Sequence, residues 1–348
     1  MKRGTLFTYI ASAVVGLGLF AGAASAQTVV TLGGYGELFA DQYKKAVVDA
    51  FNASQTEVKV EYYAIGGSAQ ILGTLRAQKA APQVDAVIMD IGVAKAGTDE
   101  GLFDKVDESV SKHVADLYPQ ARLDGVAGVG FTLDNVVLLY DKEKVTPAPD
   151  TWEALWGKGL ERKVAIPAPP EILGMSLTVI AEKMAGGGDF VTSTQKAITK
   201  LGLLSGNVLT FEPKPDPYTP IMSKQALLSV GWNARAQYFS AQPGSNLGAV
   251  LPKEGSVFQV NSLNLVKGAK NTEAAKKFID YALGPEAQAA FAKAMFYAPA
   301  NSKVELPDEV ASRTAAKSMD RMLPMNPLEA AKVRDRILQE WRRGVISR

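Results

Sequence analysis

Few side chains in this sequence could carry catalysis. The single histidine, His113, sits in Ser109-Val110-Ser111-Lys112-His113, which reads as a solvated helix face. The absence of cysteine excludes thiolate nucleophiles, disulfides and Cys-based zinc sites. Gly66-Gly67-Ser68-Ala69-Gln70 lacks the closing glycine of a nucleophile elbow. Gly34-Tyr35-Gly36 lacks the third glycine of a dinucleotide fingerprint, and no Gly-Lys-Ser/Thr phosphate loop occurs. Asp and Glu are spread throughout, so paired carboxylates stay open, and a hydrolase or lyase using them is the enzymatic alternative. No catalytic residue, metal or cofactor is expected.

A second group of residues could hold a small polar molecule. Tyr35 and Gly36 follow the first apparent strand, Ser68 follows the second, and Asp90 ends the third. Trp232, Asn233 and Arg235 follow a later one, and Asn135 and Tyr218 complete the set. In open α/β sheets ligands bind at the carboxyl ends of strands, where glycines let backbone N–H groups approach. Tyr35 and Trp232 are expected to stack on the ligand and Asp90 to hold a cationic group. Arg235 suits a carboxylate, with a structural ion pair as the alternative. Taken singly, each of these could equally be a residue its turn requires.

The elements that position them alternate between strand and helix signals. Thr28 to Leu32 is a β-branched run, Val58 to Tyr62 alternates with period two, and Ala86 to Met89 reads as a buried parallel strand. Phe39, Tyr43, Val47 and Phe51 recur every four residues, a helical stripe. Ser68 is placed to cap the helix bearing Ile71, Leu72 and Leu75. Further strands are expected at Asn135 to Tyr140, Val164 to Ile166, Leu227 to Gly231, Leu247 to Leu251 and Ser262 to Val266. Asn326-Pro327-Leu328-Glu329 has the form of a helix start. This rhythm predicts an α/β fold with parallel sheets covered by helices.

The N-terminus reads as a leader. Lys2 and Arg3 precede an apolar run from Ile10 to Ala24, and Ala24-Ser25-Ala26 is a small-x-small cleavage pattern. The run is shorter than the roughly 20 residues a spanning helix needs. Cleavage after Ala26 would leave Gln27 first, with no Cys for a lipid anchor, and would take the formal charge from +2 to zero. A neutral chain argues against nucleic acid or an anionic membrane as partner. The rest is too long for one comfortable core, and no flexible linker divides it, so two lobes joined by extended strands are expected.

The chain resembles the polyamine-type (spermidine/putrescine) periplasmic binding proteins of ABC importers. The resemblance is carried by Asp85 to Asp90, Gly128 to Tyr140, Pro252-Lys253-Glu254-Gly255-Ser256-Val257-Phe258-Gln259-Val260-Asn261-Ser262-Leu263, and Thr272 to Gln288. It implies a two-lobed periplasmic-binding-protein fold of type II, with a ligand cleft between mainly parallel, helix-covered lobes. Residues 27–132 with 262–300 would form lobe 1 and 133–261 lobe 2, with 301–348 packing on them. It implies a periplasmic receptor that passes a small solute to an inner-membrane permease, and a monomer is expected. Polyamine binders usually carry Trp and an acid where this chain has Gln259 and Asn261, both candidate ligand contacts. Asn and Gln serve a hydroxyl, amide or carboxylate better than an ammonium, which needs a carboxylate when buried. An amino-acid-like or hydroxylated solute is therefore expected over a linear polyamine.

Overall fold

The computed structural model describes Met1 and residues 27–347, so the leader and its Ala26 cleavage point lie outside the described residues. The strands are β1 (Thr28–Gly34), β2 (Val58–Ala64), β3 (Ala86–Asp90), β4 (Phe103–Asp104), β5 (Val129–Asp141) and β6 (Val164–Ala165). They continue with β7 (Val208–Thr210), β8 (Leu228–Trp232), β9 (Leu247–Val250), β10 (Ser256–Val266), β11 (Ala298–Pro299) and β12 (Met322–Leu323). The main path runs β2-β1-β3-β10-β5-β8-β6-β7.

Both ends of this path are parallel: β2-β1-β3 on one side and β8-β6-β7 on the other. The middle is not. β10 runs antiparallel to β3 and β5, and β5 antiparallel to β8 and β9. Each lobe's own strands are parallel, as expected, and the antiparallel pairs belong to the strands that cross between the lobes. A chain that crosses to the second half on β5 and comes back on β10 must run the two strands in opposite senses.

Two helix-covered cores flank the crossing strands. One gathers Val30, Leu32, Phe39, Tyr43, Ile88, Phe131, Leu263, Phe278 and Phe291, and the other Val136, Leu138, Trp152, Val164, Ile180, Leu228, Val257, Ile337 and Trp341. The stripe Phe39, Tyr43, Val47 and Phe51 is buried throughout. Four-residue steps drift about 40° each on an ideal α-helix. Here a π-turn, Lys44–Val48, widens the helix between Glu37–Tyr43 and Asp49–Ser54 and takes up part of that drift. At the other end of the chain the Asn326 side chain accepts from Leu328 N–H (2.8 Å) and opens the helix Pro327–Trp341. That helix sinks Trp341 into the second core, where its indole donates to Thr178 (2.8 Å). His113 is not on a solvated face: its imidazole is only 19% exposed, 4.0 Å from Asp116.

Register fixes which side chains share a face. Asn261 stands opposite Asp90 on one side and Thr132 on the other, and Gln259 stands opposite Asp134. Directly opposed residues point the same way. One face of the sheet therefore carries first-core residues (Ile88, Leu263, Val129), then the polar set Asp90, Asn261, Thr132, Gln259 and Asp134, then second-core residues (Val257, Val136, Leu138). A register shift between Asn261 and Ser262 leaves Phe131 without an opposite number, as in a bulge, at the junction of the cores.

Candidate functional site

The polar set at the junction is a connected network. The Tyr35 hydroxyl, at the end of β1, donates to Asn261 Oδ1 (3.0 Å) and lies 3.1 Å from Ser68 Oγ. Ser68 Oγ accepts from the Asp90 N–H (2.9 Å). Asn261 Nδ2 donates to Thr132 Oγ1 (3.0 Å). The chain can place Tyr35 here because Gly34 precedes it: a Cβ on Gly34 would sit 2.3 Å from the Tyr62 hydroxyl, which donates to the Tyr35 carbonyl. The expectation that Ser68 caps its helix is corrected. Gly67 holds that position and Gln70 Oε1 accepts its N–H (2.8 Å), which leaves the Ser68 hydroxyl for the network.

Two carboxylates lie in the strip, both almost wholly buried. Asp90 caps the helix Ile91–Asp99 by accepting from Gly92 (2.9 Å) and Val93 (3.3 Å). Burial raises its pKa, while those amides and Gln259 pull it back. Asp134 accepts from the N–H groups of Asn135 (2.9 Å) and Ala234 (3.0 Å), the latter in the first turn of the helix Asn233–Ser240. Burial pushes it up to about 7, against the pull of Ala234, Asn135 and the positive charge of Arg235. The Tyr35 hydroxyl is pushed far up, first by burial and then by the charge of Asp90.

Trp232 and Arg235 adjoin the strip from the second core. Trp232 pairs with Val136, on the face of the polar set, and is half-buried. Arg235 lies in the helix Asn233–Ser240 that follows, and its charge reaches Asp134, Tyr218 and Tyr297. No salt bridge or hydrogen bond engages Arg235 among the described residues. Gly36 precedes the helix Glu37–Tyr43 beside Tyr35.

Three expected contacts are placed elsewhere. Asn135 stands opposite Phe258, on the reverse face from Gln259 and Asn261, because strand side chains alternate. Tyr218 is buried in a core behind β8, and its hydroxyl donates to the Trp232 carbonyl (3.0 Å) and accepts from the Trp232 N–H (3.1 Å). It supports Trp232 from behind rather than facing a ligand. The Asn233 amide donates to the Arg313 carbonyl (2.8 Å) and accepts from Gln237 (3.1 Å), away from the strip. Asn261 is 1% exposed with both ends of its amide engaged, so it braces the site. Sequence reasoning missed Asp134, Thr132 and Tyr297. The available signal was an acid inside the mostly apolar run Val129 to Tyr140.

Two surface grooves lie far from this network. One of about 460 Å³ is lined by Leu75, Lys79, Glu100 and Lys267, and one of about 910 Å³ by Thr28, Glu57, Lys270 and Lys277. Both sit at the opposite ends of β1, β2 and β3 from Tyr35 and Asp90 and present no aromatic face. The junction is the better ligand site because aromatic, acidic and basic groups converge there on strand ends from both cores. Among the described residues no group of three or more His, Cys, Asp or Glu could hold a metal ion. No helix there is long and apolar enough to cross a membrane.

Two helix-covered cores joined by crossing strands, with ligand-type groups at the junction, define a two-lobed solute-binding receptor. The chain belongs to the bacterial extracellular solute-binding protein family, whose model matches residues 46–318. It is similar to the gamma-aminobutyric acid-binding protein of Pseudomonas aeruginosa, 25% identical over 301 residues that cover 80% of this chain and 79% of that one. It is also similar to the spermidine/putrescine-binding periplasmic protein of Escherichia coli, 26% identical over 216 residues, 58% of this chain and 59% of that one. An ABC transporter structure from Clostridium perfringens superposes with a TM-score of 0.72 at 24% identity, covering 91% of this chain and 99% of that one. The protein is thus an extracellular solute-binding protein, of a family whose relatives are named as binding proteins and not as enzymes.

Proposed function

We propose that the chain captures a small amino-acid-like solute bearing one ammonium and one carboxylate, and delivers it from the periplasm to an inner-membrane permease as a monomer. The observation that carries this is Arg235. It is a guanidinium three residues after Trp232 whose charge reaches the strip at Asp134, and no carboxylate of the described chain forms an ion pair with it. A guanidinium left in that position suits a ligand carboxylate and opposes a polycation. Asp90, on the other lobe, would take the ammonium, and Tyr35 and Trp232 would pack on the stem. A ligand that touches both lobes closes them about the strands at Thr132 to Asn135 and Gln259 to Ser262. The similarity to a gamma-aminobutyric acid-binding protein supports this reading.

A linear diamine is the second reading. Two buried carboxylates in one strip favour it, as does the similarity to a spermidine/putrescine-binding protein. Calorimetry on Arg235→Gln separates the two. For a zwitterion the substitution removes a charge-assisted pair and should weaken 4-aminobutyrate by about 10- to 100-fold. For a diamine it removes a repulsion, and putrescine should bind more tightly.

A further inference from the structure

Asp134 is not accounted for by ligand contact, yet it is buried in the strip and bonded to the backbone of two different elements. It lies on β5, which pairs with β10 on the first-core side and with β8 and β9 on the second-core side. Its carboxylate reaches off that strand to the Ala234 N–H, in the first turn of the helix that begins directly after Trp232 and carries Arg235. We propose that Asp134 is the positioning residue of the site: it ties that helix to the crossing strand, so Trp232 and Arg235 hold their place relative to the junction as the lobes move. The inference rests on reading Trp232 and Arg235 as ligand contacts.

The groups that face Asp134 are few. Arg235 approaches from the helix itself, Tyr218 from behind β8, and Tyr297 from the segment after the helix Pro285–Met295. From β10 the residue opposite is the neutral Gln259. An ionised Asp134 accepts the Ala234 amide through a charge-assisted bond and attracts Arg235, whereas a protonated one does neither as strongly. With its titration raised to about 7, the tie is firm above neutrality and loosens below it.

The test needs no ligand, so its failure is separable from failure of the proposed ligand class. Tryptophan emission is followed from pH 5 to 9 on the full chain, together with amide exchange in the peptide 232–237. Wild type should show a transition near pH 7. Trp232→Phe and Asp134→Asn should each abolish it, while His113→Gln should keep it. Arg235→Gln should move the midpoint upward, because a cation that favours the charged form has gone. Asp134→Ala, which removes the acceptor, should speed exchange in 232–237 by about five- to tenfold, the loss of one capping bond. A transition that survives Asp134→Asn, an unmoved midpoint in Arg235→Gln, or unchanged exchange in Asp134→Ala would each overturn the proposal. If the Asp134 variants do not fold, wild type and Arg235→Gln still decide it.

Discussion

Asn261→Asp tests whether residue 261 braces the site or touches the ligand. In the structure Oδ1 accepts from Tyr35 and Nδ2 donates to Thr132, both at 3.0 Å, with the side chain 1% exposed. An aspartate keeps the acceptor for Tyr35, and the Thr132 hydroxyl can turn to donate instead. The hydrogen bonds therefore survive, and what is added is a buried negative charge directly across the strand pair from Asp90. Burial and a like charge both raise a carboxyl pKa. Elevation by roughly two to three units corresponds to about 3–4 kcal/mol of lost stability once the group is ionised. A raised folded-state pKa means the loss is absent at low pH and grows as pH rises. Urea unfolding at pH 5 and pH 8 measures it. The variant should match wild type more closely at pH 5 and fall about 3–4 kcal/mol below it at pH 8. Equal midpoints at both pH values, with altered ligand preference, would refute the reasoning and make Asn261 a ligand contact.

Three further outcomes are expected. Trp232→Ala should cost on the order of 2–4 kcal/mol of binding, roughly a 30- to 1,000-fold loss by calorimetry, because stacking and apolar burial go together. Wild-type stability should carry a component that falls as pH rises from about 4 to about 7, since Asp134 is raised in the fold, and Asp134→Asn should remove that slope in urea titrations. The radius of gyration from small-angle scattering should fall on saturation with a verified ligand, and an unchanged value would count against closure.

Much of the architecture was legible because it is written in local pattern. The β-branched and alternating runs at Thr28 to Leu32 and Val58 to Tyr62 became β1 and β2, and the apolar run before Asp90 became a wholly buried central strand. Strand ends were therefore visible, and with them Tyr35, Ser68 and Asp90, which the structure joins by hydrogen bonds to one network with Asn261. What local pattern could not supply was the facing of side chains on the crossing strands. Asn135 and Asp134 are neighbours in sequence, yet register turns one to the reverse face and the other into the strip. Tyr218 was named from its type, and only the core behind β8 shows that it grips the Trp232 backbone. Asp134 was overlooked because an acid in an apolar strand reads as an interruption until a helix start is seen to sit on it.

The most direct test of the central claim is calorimetry of the wild-type chain, freed of bound solute, against 4-aminobutyrate, an α-amino-acid panel, putrescine and spermidine at pH 7.5. The account predicts tight binding of a zwitterion with a single ammonium and weak or no binding of the two polyamines. Tighter binding of putrescine or spermidine than of every zwitterion would contradict it.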